Sequence, residues 1–216
     1  MFNQEAFNKF VISHNVVGFF DTPITLKSGK QSHMYINWRH VSNDVALLES
    51  CALFVIEFCL MHKLNPDCFF GVAEGATKLG ILTQYLWAKQ HNAKVGSHKL
   101  CMGRAKPKQH GSPEDKYFVG EPNGKIVVLE DVTTTGQSMI EAVKFLKSLN
   151  KHDITCVGLT NRETSDHSPT VKQQLQELNI DYYCLSTSKE ILSQLNQSED
   201  TSSIKPYIKK ELSLLA

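Results

Sequence analysis

Apolar positions along this chain follow two rhythms. Short, nearly continuous apolar runs occur in CFFGVA (68–73), IVVLED (126–131), DITCVGLT (153–160) and IDYYCLS (180–186). Runs of this length, bounded by turn residues, predict buried strands. KVGSHKLCM (94–102) predicts a further strand. Between the strands lie stretches with helical spacing: from the turn EGATKLG to about residue 91, over 137–149, and near 169–178. Strands that alternate with helices of this kind predict an α/β fold, with a parallel central sheet flanked by helices on both faces.

The first forty residues differ. Residues 3–16 predict a short amphipathic helix, and PITLKSGKQSHMYINWRHV (23–41) predicts two short strands around the turn KSGK. A helix is expected from Ser42 to about residue 62, with Asn43 and Asp44 near its start. Its greasiest part, CALFVIEFCLMHKL (51–64), is interrupted by Glu57 and is too short to span a bilayer, so it reads as a buried helix. GRAKPKQHGSPEDKYFVG (103–120) has no period. A structureless stretch of that length in a compact domain is usually functional or disordered. The tail has a linker-like SQLNQSEDTSSIKP (193–206) and then a last short helix.

Composition narrows the function classes. The 216 residues suit one domain of ordinary size. A net charge of +1 lacks the basic excess of a general nucleic-acid binder, so any positive site is a local cluster. The six cysteines show no CxxC spacing and no zinc pattern, which predicts reduced thiols packed as small hydrophobes. The N-terminus MFNQEAFNKF has no secretory pattern. A cytoplasmic protein without membrane or nucleic-acid partners is expected.

One segment concentrates the chemistry. In KIVVLEDVTTTGQS (125–138) an apolar strand ends in Glu130 and Asp131 and turns through Val132, Thr133, Thr134, Thr135 and Gly136 into a helix at Gln137 and Ser138. In parallel α/β sheets ligands bind at the carboxyl ends of strands. Backbone N–H groups at the following helix start attract an anion, and the hydroxyls add donors. Carboxylates beside a phosphate cradle are useful only if something between them needs acceptors. A ribose 5-phosphate fits, with its two ring hydroxyls on the acids. The segment has neither GK[ST] nor GxGxxG, so it is not a Walker or dinucleotide loop.

The segment resembles the 5-phosphoribosyl-1-pyrophosphate (PRPP) signature of type I phosphoribosyltransferases. That resemblance implies a parallel five-stranded core under a small hood, displacement of pyrophosphate from PRPP by a nitrogen base, and use of Mg²⁺. Three other stretches narrow it. TLKSGKQSHMY (25–35) is similar to the TLKSGxxSPxY hood motif of orotate phosphoribosyltransferases, GVAEGATKLG (71–80) to their pyrophosphate-binding loop, and RAKPKQHG (104–111) to their mobile loop RKxxKxHG. With NRE (161–163), the likeness runs in order from about residue 5 to 185.

The resemblance implies a single domain over 1–216: a hood mainly in 1–41 with a C-terminal contribution, a core at about 42–186 and a tail at 187–216. It implies that Arg104, Lys108 and His110 act with Asp131 in catalysis, the loop residues contacting pyrophosphate. Lys106 in that loop, Glu74, Gly75 and Ala76, and Glu130 to Ser138 would bind PRPP. Lys27, Thr134 and Arg162 would bind orotate, Arg162 on its carboxylate, a role that also suits a planar guanidinium. No protein ligand set for a metal is expected, Mg²⁺ being carried by PRPP. A homodimer whose mobile loop covers the partner's site is implied as well.

The chain departs from the pattern in three places. Ala105 stands where many members have a lysine, Glu74-Gly75-Ala76 lacks a lysine that some carry, and Ser32-His33 replaces Ser-Pro. Two other readings stay open: a phosphoribosyltransferase for another base, and a PRPP-binding regulator without catalysis. Neither a winged-helix segment before the core nor a fused decarboxylase barrel is expected.

Overall fold

The computed structural model describes residues 1–25, 29, 31–110, 116–162, 168–197 and 203–215. Asn3 accepts from the Ala6 N–H at 2.9 Å and so caps α1 (Gln4–Ser13). β1 (Val17–Thr25) and β2 (Gln31–Ile36) form the expected antiparallel hairpin, although β1 starts earlier than Pro23. Their register breaks between Phe19 and Ile24. The extra residues there include Pro23, which has no N–H for a ladder. The helix expected from Ser42 to about residue 62 is α3 (Val45–Met61), and a separate short helix, α2 (Arg39–Ser42), precedes it. Asp44 divides them: its carboxylate accepts from Leu47 N–H at 3.0 Å and caps α3.

The chain continues through β3 (Cys68–Gly71), α4 (Thr77–Gln90), β4 (Met102–Gly103), β5 (Phe118–Val119), β6 (Ile126–Thr133), α5 (Gln137–Ser148), β7 (Ile154–Asn161), α6 (Val171–Gln176), β8 (Asp181–Thr187), α7 (Ser188–Asn196) and α8 (Lys205–Leu214). Among the described residues the central sheet is parallel, in the order β3-β6-β7-β8. Strand period 2 sorts its side chains into two cores. Phe69, Val127, Leu129, Val157 and Leu159 pack with α1, α3, α4 and α7 on one face. Cys68, Phe70, Ile126, Val128 and Cys156 pack with α5 and α6 on the other. The sheet is buried on both faces, as the near-continuous apolar runs predict.

Two expectations about the sheet are corrected. The strand expected over 94–102 is reduced to Met102–Gly103, which pairs with Phe118–Val119 away from the central sheet. The resemblance implies five core strands, and four are present among the described residues. The physical reason lies at the β3 edge. The buried Gln84 amide accepts from Phe69 N–H at 2.9 Å and donates to Lys99 O at 2.8 Å and Asp67 O at 3.1 Å. Cys101 Sγ donates to Phe69 O at 3.4 Å. Both edge groups of Phe69 are thus satisfied by side chains, so no fifth strand is required there. Meanwhile Gly96 adopts φ +85° and Val95 is fully exposed.

The linker-like tail is also corrected. Its first residues belong to α7, which Thr187 and Glu190 start with a capping box. Thr187 Oγ1 accepts from Glu190 N–H at 3.2 Å, and Glu190 accepts from Thr187 N–H at 2.8 Å. α8 then returns to pack against β2, burying Ile208 and Glu211. No helix among the described residues is long and apolar enough to cross a membrane.

Candidate active site at the carboxyl end of the sheet

β3 ends at Gly71, opposite Leu129, while β6 runs on to Thr133. Glu130 and Asp131 therefore lie inside β6, in its overhang beyond β3. A cleft of about 860 Å³ opens there. The β6–α5 turn, the Ala73–Gly75 loop, β2 with the residues after it, and Arg162 line the cleft.

Asp131 lies against the loop that follows β3. A methyl group on Gly75 would come within 2.7 Å of Asp131 Oδ2. Its Oδ1 also accepts from Val132 N–H at 2.9 Å. Glu130, one residue earlier, is nearly buried. Burial, with a smaller push from the Glu130 carboxylate, drives the Cys156 thiol upward. The adjacent acids thus meet different surroundings, as neighbours on a strand must.

The turn into α5 behaves as its sequence suggests. Gly136 takes φ +71° as the N-cap, a conformation that favours glycine, and supplies no side-chain cap to the first turn. Thr134, Thr135, Gln137 and Ser138 border the cleft beside those N–H groups. Thr133 does not. Its buried hydroxyl lies 2.6 Å from Tyr182 Oη and donates to Asn161 Oδ1 at 3.4 Å, turned into the sheet. Ala76 is buried behind the Glu74–Gly75 loop.

Arg162 follows β7, and its N–H donates to Thr133 O at 2.7 Å. Its side chain is 6% exposed and reaches the hairpin. Nη2 donates to Ser32 Oγ at 2.6 Å and to Met34 O at 2.5 Å. Burial lowers the guanidinium pKa, while Glu211 and then Tyr35 act to raise it. With both Nη2 hydrogens engaged, a bidentate contact through Nη2 would have to share one of them.

Among its described residues the basic loop is not structureless. β4 and β5 close its base, and Arg104 N–H donates to Tyr117 O at 2.9 Å and Lys108 N–H to Lys116 O at 2.8 Å. Lys106, Lys108 and His110 stand exposed on this arm and do not line the cleft, nor does the half-buried Arg104. Lys27 lies outside the described residues.

Sequence reasoning missed two cleft cations, Arg39 and Lys78. Lys78 donates to Ser42 O at 3.1 Å and to Asn43 Oδ1 at 3.3 Å. It stands four residues after Glu74 in the same loop-to-helix segment, where the lysine in EGATKLG was visible but assigned no role. Trp38 stacks on Phe7 with centroids 5.9 Å apart and also borders the cleft.

No protein-family model matches the chain. Individual relatives do. It is 32% identical over 146 residues to an orotate phosphoribosyltransferase from Rhodopseudomonas palustris, covering 65% of this chain and 74% of that one. It is 28% identical over 182 residues to the Mannheimia succiniciproducens enzyme of the same name, covering 84% of this chain and 80% of that one. The crystal structure of the Francisella tularensis orotate phosphoribosyltransferase superposes with a TM-score of 0.71 at 21% identity, covering 95% of this chain and 96% of that one. At that identity the structural likeness carries the fold, while the sequence relatives carry the kinship: the chain belongs to the orotate phosphoribosyltransferase family.

Proposed function

We propose that this protein transfers the 5-phosphoribosyl group of PRPP to orotate, forming orotidine 5′-monophosphate and pyrophosphate in pyrimidine biosynthesis. The observation that carries this reading is one cleft in which an acid-bearing strand end, a helix start with glycine as its N-cap and a buried guanidinium converge. The α5 N–H groups, Thr134, Thr135 and Ser138 take the 5-phosphate. Glu130 and Asp131 take the ribose hydroxyls. Arg162 takes the carboxylate of the base. A neutral purine would offer this nearly buried cation no carboxylate to pair with directly, which favours orotate over other bases.

Chemistry then needs the C1–O bond to pyrophosphate to break as the C1–N bond to the base forms. The sugar acquires oxocarbenium character, and charge grows on the departing oxygen. Cations beside that oxygen lower the barrier, and a closed lid keeps water from the sugar. Arg104, Lys108 and His110 suit this role, with Lys106 as a further contact. Because none of them lines the cleft of its own chain, we assign them to the partner's site in a homodimer.

Among the described residues no three His, Cys, Asp or Glu side chains gather as a metal cage. Glu130 and Asp131 nevertheless offer hard oxygen donors beside the sugar site, which fits Mg²⁺ arriving on PRPP with its hydration. When bound, the ion would neutralise pyrophosphate charge.

A panel of orotate, uracil, adenine and hypoxanthine, each with PRPP and Mg²⁺, tests the assignment through pyrophosphate release. Release with orotate alone is expected. Release with a purine and not with orotate would reassign the substrate. PRPP binding with no release for any base would make the protein a sensor.

A further inference from the structure

The C-terminal helix reaches the substrate arginine through two side chains. Glu211 on α8 is 3% exposed. Its Oε2 accepts from Ser32 Oγ at 2.9 Å, and its Oε1 accepts from His33 N–H at 2.7 Å. The second contact exists because residue 33 is histidine, since the proline of the resembling hood motif has no N–H. His33 is itself held. Its Nδ1 lies 2.8 Å from Phe20 O, so it must carry the proton, and Nε2 is then the acceptor for Lys210 Nζ at 3.1 Å. Its ring stacks on Tyr207, with centroids 5.0 Å apart.

Ser32 Oγ has one hydrogen and two lone pairs. Four groups surround it: Glu211 Oε2, Met34 O at 3.0 Å, Met34 N–H at 3.0 Å, and Arg162 Nη2 at 2.6 Å. Two are donors and two are acceptors. A carboxylate competes for the hydroxyl hydrogen better than a peptide carbonyl does. The hydrogen therefore points to Glu211, and both lone pairs face Met34 N–H and Arg162. Without Glu211 the hydroxyl turns towards Met34 O, the other acceptor within reach.

We infer that Glu211 is a positioning residue for substrate binding: through Ser32 it fixes the guanidinium of Arg162, so that the C-terminal helix tunes affinity for the base. This rests on the reading of Arg162 as the ligand for the orotate carboxylate. Glu211 is buried and does not line the cleft, so it acts through Ser32 and Arg162.

Steady-state kinetics of five variants test it. Ser32→Ala and Glu211→Leu are each expected to raise KM for orotate about tenfold, with kcat and KM for PRPP within about twofold. Their double variant should be no worse than either alone, because both break one chain of contacts. Glu211→Gln keeps an acceptor oxygen and should recover most of the affinity. Ser32→Ala leaves the α8 packing in place, so it decides the matter even if Glu211→Leu fails to fold. The fifth variant, Arg162→Ala, separates two failures. If it raises KM for orotate while Ser32→Ala and Glu211→Leu leave it unchanged, the positioning role is wrong and the ligand assignment stands. If Arg162→Ala leaves it unchanged, both fall. Loss of thermal stability with unaltered orotate KM would reduce Glu211 to a packing residue.

Discussion

Gly75 and Asp131 are in such close approach that a single methyl group on Gly75 would lie 2.7 Å from one carboxylate oxygen and 2.8 Å from the other. The loop after β3 and the overhang of β6 thus fit together only because residue 75 has no side chain. Gly75→Ala should displace the Asp131 carboxylate. A loss of about 1–3 kcal/mol of transition-state stabilisation, roughly ten- to hundredfold in kcat/KM for PRPP, is expected. The melting temperature should move by only a few degrees, about what ~1 kcal/mol gives in a domain of this size. Wild-type kinetics in the variant would show that Asp131 is not a ligand of the sugar.

Thr133 and Thr134 are adjacent in sequence but should fail in opposite ways. Thr133→Val removes a buried hydroxyl from Tyr182 and Asn161, for about 1 kcal/mol of stability by denaturant titration, with KM for PRPP unchanged. Thr134→Val should leave stability alone and raise KM for PRPP. Reversal of the two phenotypes would mean that the turn is read one residue out of phase.

Lys78 offers a cation in a cleft whose loop, Glu74-Gly75-Ala76, carries none. Lys78→Ala is expected to weaken product inhibition by pyrophosphate about tenfold, the scale of one charge-assisted contact. Inhibition constants for pyrophosphate, measured against PRPP, check this. An unaltered constant would assign Lys78 to its contacts with Ser42 and Asn43 alone.

Burial sets an alkaline limit. The thiol of Cys59 is pushed up from 9.0 to about 12 by desolvation, and those of Cys51 and Cys156 also rise. Unfolded, Cys59 loses its proton near pH 9.0; folded, it keeps it to about 12. Between those values the folded state holds more protons, so rising pH favours unfolding. The stabilisation is whole below pH 9.0 and lost towards 12. Urea titrations at about pH 8 and about pH 10.5 should show Cys59→Ala flattening the decline, by at most ~1.4 kcal/mol per pH unit. An unchanged slope would mean that this thiol is not protected.

What the sequence discloses depends on how local the cause is. Glu130, Asp131 and the turn to Ser138 are contiguous, and strand period and helix start place them without tertiary knowledge. The parallel sheet is legible for the same reason. The β3 edge is not, because its groups are satisfied by Gln84 and Cys101, side chains whose role depends on where the fold brings them. Thr187 and Glu190 are a local signal, and their capping box could have been read, but the polar residues after them resemble a linker. Glu211 is beyond any such reading. It meets Ser32 across 179 positions, and one buried glutamate in a polar tail gives no sign of its partner.

The most direct test of the account is the ultraviolet absorbance of orotate mixed with the protein, PRPP and Mg²⁺. A fall that requires both PRPP and Mg²⁺, and that slows in Arg162→Ala at low orotate but recovers at high orotate, is the predicted result. Absorbance that stays constant while calorimetry shows PRPP bound would contradict it, leaving a site that holds the phosphoribosyl donor and passes it to something else or to nothing.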